Sequence, residues 1–194
     1  MAPEAFFLPV ADGQRFCLYH PPTGLPRGAF LYLHPFAEEM NKSRRMAALQ
    51  SRQLAAHGYA VLQVDLHGCG DSSGDFGEAT WQSWLHDVGM ARDWLRTRCE
   101  APLWLWGLRA GCLIAADAAA RGDEPAGFLF WQPAVSGRQH LQQFLRLKAA
   151  GNMLGGDPRG AMAAVRRQLD ESQSPEIAGY TLNPDLARGL EAAQ

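Results

Sequence analysis

The sequence has few of the features that mark secreted, metal-held or membrane-spanning chains. Its four cysteines, Cys17, Cys69, Cys99 and Cys112, form no C-x-x-C pair and show no metal-ligand spacing with histidine. That argues against a disulfide framework or a zinc site and for thiols kept reduced in the cytoplasm. No apolar run approaches the roughly 20 residues of a membrane span. The first thirteen residues carry no basic segment and only a three-residue apolar run, Phe6–Leu8, so no signal peptide is read. Neither charge dominates: 18 Lys and Arg face 20 Asp and Glu, a net charge of −2. This removes any general attraction to nucleic acid or anionic membranes. Repeats and low-complexity segments are absent. The glycines of Gly68-x-Gly70-x-x-x-Gly74 miss the dinucleotide spacing by one and open no helix, so no cofactor is expected.

What the chain does have is a core-sized share of apolar residues, 47% of 194, enough for one globular domain. The most informative stretch is Pro102 to Gly122. Leu103–Trp106 is an apolar run of strand length, Gly107 breaks it, and Ala110 to Arg121 are small helix formers, with Gly122 placed as a terminating glycine. The turn between them, Gly107-Leu108-Arg109-Ala110-Gly111, has the G-x-S-x-G frame of a nucleophile elbow with arginine in the serine position.

Other elements follow from pattern. Phe6–Leu8 and Arg15–Tyr19 flank an Asp12-Gly13 turn, which predicts an opening β-hairpin. Ala29–Leu33 and Tyr59–Val64 read as buried strands, with a helix over 43–57 between them whose apolar face is Met46, Leu49 and Leu54. Trp81, Trp84, Leu85, Val88, Ala91 and Leu95 share one face of a helix that Thr80 can cap. A last strand, Gly127–Trp131, precedes helices over 139–148 and 161–169, separated by 151–160, with no strand after them. Apolar strands alternating with helices imply an α/β architecture: a mostly parallel six-stranded sheet, its second strand antiparallel, covered on both faces. The division drawn is a core over 1–135 and a helical, lid-like appendage over 136–194 of the same domain.

These pieces resemble the α/β-hydrolase superfamily. His34-Pro35-Phe36 stands at its oxyanion loop, Asp65 through Ser72 matches its D-x-x-G-x-G-x-S loop, and Gly107 to Gly111 matches its elbow. Within it, the segments 34–45, 65–77, 103–111 and 131–146 are similar to the second hydrolase-like protein associated with the exosortase A system of bacteria that sort PEP-CTERM proteins and make exopolysaccharide. That group also carries arginine in the elbow. The resemblance implies a hydrolase fold whose last two strands have no counterpart in these 194 residues. It also implies that a triad histidine should follow the nucleophile; of the six histidines only His140 lies beyond Arg109, and it comes soon after the sixth strand, too early for the usual histidine loop.

Arginine stays protonated and can be neither nucleophile nor general base, so serine-type acyl transfer at residue 109 is excluded by chemistry. A guanidinium binds carboxylate or phosphate well, particularly beside a helix N-terminus. The simpler expectation for a partly buried arginine is an internal pair with Glu38, Glu39 or Asp65, clustered along the same sheet edge. Phe36 and Ala110 are the expected oxyanion amides. His34, His67 and Cys69 are further candidate pocket residues, while Cys112 reads as a small core residue. The basic pairs Arg44-Arg45 and Arg166-Arg167 read as solvated helix faces. Two functions stand side by side. One is hydrolysis of an ester, thioester or related acyl bond. The other is non-catalytic binding of a small anionic or acyl ligand as an accessory protein. The uncharged, aromatic strand 127–131 lacks edge-protecting residues, so it should be covered by the appendage or pair in a homodimer.

Overall fold

A computed structural model describes residues 2–122, 127–151 and 158–194. The chain opens with the hairpin β1 (Glu4–Val10) and β2 (Gly13–His20), and continues through β3 (Gly28–Leu33), β4 (Tyr59–Val64), β5 (Leu103–Leu108) and β6 (Gly127–Trp131). These six strands form one sheet in the order β1-β2-β4-β3-β5-β6. The second strand runs antiparallel to both neighbours, and β4, β3, β5 and β6 are mutually parallel, as the alternation of apolar strands and helices predicts.

Helix α1 (Glu38–Ala56) lies on one face, and α2 (Trp81–Arg98) and α3 (Gly111–Arg121) lie on the other. The predicted face of α2 is the buried one, and Thr80 caps it by accepting the Ser83 N–H at 3.0 Å. Helix α1 departs from expectation. It begins at Glu38, where two acidic residues favour a helix N-terminus. Its inward residues are Met40, Ser43, Ala47 and Ser51, while Met46 and Leu49 are exposed. Small residues bring this helix close to the sheet. Its buried hydroxyls bond the helix itself, Ser43 to the Met40 carbonyl and Ser51 to that of Ala47. Gly122 ends α3 in an extended conformation rather than the left-handed one of a glycine cap.

After β6 come α4 (Gly137–Gly151), α5 (Pro158–Asp170), a minimal hairpin of β7 (Glu176–Ile177) and β8 (Tyr180–Thr181), and α6 (Pro184–Ala192). Of the expected separator 151–160, Gly151 ends α4 and 158–160 open α5, and 152–157 lie outside the described residues. The hairpin corrects the expectation of no later strand. Ala178 and Gly179 both take positive φ, 50° and 84°, a two-residue turn compatible with such a ribbon. It does not join the main sheet. Asn183 caps α6 through the Asp185 N–H, with Pro184 in the first turn. Helix α6 packs on α2 so closely that Gly189 lies against the Trp81 ring. At the far edge of the sheet, β6 has no outer strand partner among the described residues.

Candidate functional site

The parallel strands deliver three loops to one end of the sheet, and the elbow is the tightest. Arg109 sits at φ 54°, in the left-handed region that costs an L-residue energy. The flanking glycines are required by space. A Cβ on Gly107 would lie 2.6 Å from Cys112 Cα, and one on Gly111 would strike the Leu33 carbonyl. The β6–α4 connection brackets the elbow: Arg109 N–H donates to the Trp131 carbonyl at 3.1 Å, and Ala134 N–H donates to the Arg109 carbonyl at 3.2 Å.

Of the three carboxylates in prospect, the Arg109 guanidinium meets Glu39, its Nε donating to Oε1 at 3.3 Å. Both residues are about one-third exposed. Neither terminal nitrogen of Arg109 forms a hydrogen bond among the described residues. The second carboxylate oxygen of Glu39 is buried and also without a partner there. The amides of Phe36 and Ala110, expected as oxyanion donors, donate to no backbone or side-chain acceptor among the described residues. Glu38 opens α1 beside them.

The other sequence candidates are engaged elsewhere. Asp65 is buried and accepts from Arg44 Nη2 at 2.9 Å and from the Asp71 N–H at 3.1 Å. Arg44 is therefore no freely solvated helix residue, and neither is Arg166, which pairs with Glu191 at 3.0 Å. His34 is buried with both ring nitrogens engaged, Nδ1 with the Pro35 carbonyl at 2.8 Å and Nε2 with the Leu66 N–H at 3.3 Å. That pattern requires the neutral Nδ1–H tautomer, and burial lowers its pKa accordingly. His67 turns to Ser83 and Asp12, at 3.4 and 3.8 Å. Cys69 is buried and burial pushes its thiol strongly up; Cys112 is pushed up to about 11 by the same cause. Neither thiol is poised as a nucleophile. Cys69 instead lines an open cleft of about 470 Å³ with Arg44, Asp71, Phe76 and Tyr180.

Two contributors to the site were not selected from sequence. His140, in the first turn of α4, stands edge-on to Phe36 with ring centroids 6.0 Å apart. Burial, and then the Arg109 charge, lower its pKa to about 4 against an opposing effect of Glu38. The second is an aromatic wall: Phe36 meets Phe144 at 5.1 Å and Phe76 at 5.4 Å, and Phe76 meets Tyr180 at 5.1 Å. Position after the elbow was the available signal for His140; the wall has none in sequence order. Among the described residues no group of His, Cys, Asp and Glu is arranged to hold a metal ion, and no helix is long and apolar enough to cross a membrane.

Residues 24–158 match the family model described as serine aminopeptidase, S33. Protein ABHD12B of Homo sapiens is 31% identical over 110 residues, 56% of this chain and 29% of that protein. The chain thus spans less than a third of the length of that curated relative. Among solved structures, Est1E from Butyrivibrio proteoclasticus, with ferulic acid bound, superposes with a TM-score of 0.71 at 19% identity, covering 98% of this chain and 72% of that one. A soluble variant of monoglyceride lipase from Saccharomyces cerevisiae, in complex with a substrate analog, gives 0.66 at 19% identity, covering 98% and 67%. At such identities these likenesses establish the α/β-hydrolase fold and nothing finer.

Proposed function

This chain belongs to the serine aminopeptidase S33 family of α/β-hydrolases, and from that premise we propose that it binds a carboxylate ligand with an apolar body without forming an acyl-enzyme. One observation carries the reading. Arg109 occupies the nucleophile position with its Nε fixed on Glu39, leaving both terminal nitrogens unengaged among the described residues, beside the unused amides of Phe36 and Ala110. Two guanidinium nitrogens and two amides form a donor set suited to an anion and not to nucleophilic attack. Phe76 and Tyr180, which line the open cleft, supply a surface for the apolar part, with the buried Phe36 and Phe144 packed behind them. Family membership supports a second reading, hydrolysis of an ester or thioester by some group other than residue 109.

We further propose the context that the sequence resemblance implies: a cytoplasmic accessory protein of the exosortase and exopolysaccharide system. Residues 136–194 then serve as the lid-like part of the same domain, and the open β6 edge pairs with a second copy. The test of the core reading has two arms. Octanoate binding should weaken at least tenfold in Arg109→Gln, and p-nitrophenyl butyrate should not be turned over above background by wild type. Ester turnover that Arg109→Ala abolishes would overturn the binding reading in favour of catalysis. In a bacterium with an exosortase A system, deletion of the gene should impair exopolysaccharide output, and Arg109→Gln should not restore it. Normal output from the deletion strain would detach the protein from that system.

A further inference from the structure

His140 is 6% exposed, and its Nδ1 is sealed from solvent without a hydrogen-bond partner. No hydrogen bond reaches its other ring nitrogen among the described residues either. Buried polar groups are almost always satisfied, so one that is not requires an account. Packing alone does not supply it, because a leucine or phenylalanine against Phe36 would fill the space without desolvating an imidazole.

The orphan lies beside the elbow. The β6–α4 connection is hydrogen-bonded to both backbone groups of Arg109, α4 opens three residues beyond Ala134 at Gly137, and the Arg109 charge acts on the His140 ring. The ring abuts Phe36, whose amide is one of the two unused donors. Burial and the Arg109 charge keep the imidazole neutral at neutral pH. A neutral ring carries one N–H. A sealed nitrogen is tolerated better as a bare lone pair than as an N–H with no acceptor. The proton therefore belongs on Nε2, which gives this site one further uncommitted donor.

We propose that His140 is a ligand-binding residue of this site, its Nε2–H donating to the same carboxylate that Arg109 holds, so that guanidinium and imidazole together select a monocarboxylate. This rests on the carboxylate reading of Arg109 and adds to it a second recognition element from α4. The ligand's apolar chain then lies along Phe76 and Tyr180, which line the open cleft.

The test uses the full chain, ¹⁵N-labelled at histidine, titrated with octanoate and followed by NMR and calorimetry. Octanoate should move the His140 ring resonances in wild type and leave them still in Arg109→Gln. His140→Phe should weaken binding about tenfold or more, the loss of one hydrogen bond to a charged group. His140→Gln, which retains an N–H near the Nε2 position, should bind within about threefold of wild type. Unmoved His140 resonances, with His140→Phe binding as tightly as wild type and Arg109→Gln still defective, would overturn the role of His140 and leave that of Arg109 intact. Absence of octanoate binding by folded wild type would overturn both. Should His140→Phe fail to fold, the wild-type resonances and the Gln variant decide.

Discussion

Two loops meet at the same end of the sheet and treat their polar groups in opposite ways. The loop after β4 uses nearly every one internally. Asp65 engages Arg44 and the Asp71 amide, and Ser72 Oγ bonds the Asp65 carbonyl at 2.5 Å. Asp87 accepts from Arg15 Nε at 2.8 Å and from the His67 amide at 2.7 Å, while Arg15 also reaches Asp12 at 2.8 Å. The elbow and its surroundings leave two amides, two guanidinium nitrogens and an imidazole without hydrogen-bond partners among the described residues. Both loops carry resemblance to the family, but only one retains donors for something else. A satisfied network rigidifies, whereas an unsatisfied one invites a ligand or costs stability. The post-β4 loop therefore reads as scaffold, and the elbow is the proposed site.

The sharpest way to break this distinction is at Asp87. Its side chain is fully buried against an Arg15 that is 2% exposed. Asp87→Ala leaves that guanidinium with Asp12 and a main-chain carbonyl alone, and should cost about 3–5 kcal/mol in denaturant unfolding. Octanoate affinity of the folded fraction should not change. A binding defect in a well-folded Asp87→Ala protein would mean that the network belongs to the site.

Arg109→Gly tests the other side with a smaller effect. Glycine removes the cost of the left-handed φ. The Glu39 pair it forfeits, one-third exposed, is worth little. Unfolding should show no loss and a gain of up to about 1 kcal/mol, while ligand binding disappears. A loss beyond about 1 kcal/mol would mark Arg109 as an internal structural pair.

Local features of both regions are legible in the chain because short-range physics sets them. The apolar strands, the face and cap of α2, and the elbow flanked by Gly107 and Gly111 all follow from residues within one turn or one strand of each other. What sequence order conceals is which polar group finds which partner across the fold. Arg44 is 21 residues from Asp65, and Arg15 is 72 from Asp87. Serines 43 and 51 look polar and outward, yet are buried because each bonds its own helix. His140 stands too soon after β6 for a family histidine, and only the fold of the β6–α4 connection brings it over the elbow.

The outer edge of β6 is a third place with groups that have no partner strand among the described residues, here the backbone itself. Phe128 and Phe130 are 42% and 39% exposed, with ring centroids 5.0 Å apart, and Trp104 is 39% exposed on β5. Register pairs Phe128 with Leu105 and Phe130 with Gly107, whereas Trp104 alternates to the other face. Aromatic surface thus flanks the edge on both sides, and no charge within 127–131 guards it. If uncommitted groups mark binding, this edge should pair with its copy around a two-fold axis, joining two six-stranded sheets. Phe130→Lys places a charge on that edge and, being a surface change, should alter the stability of the folded monomer by no more than about 0.5 kcal/mol. Sedimentation across a concentration series should then show a dimer for wild type and a monomer for the variant. A wild-type monomer whose 127–131 amides exchange rapidly would show the edge to be tolerated open. The rule relating free donors to ligands would then hold for the elbow and not for the sheet.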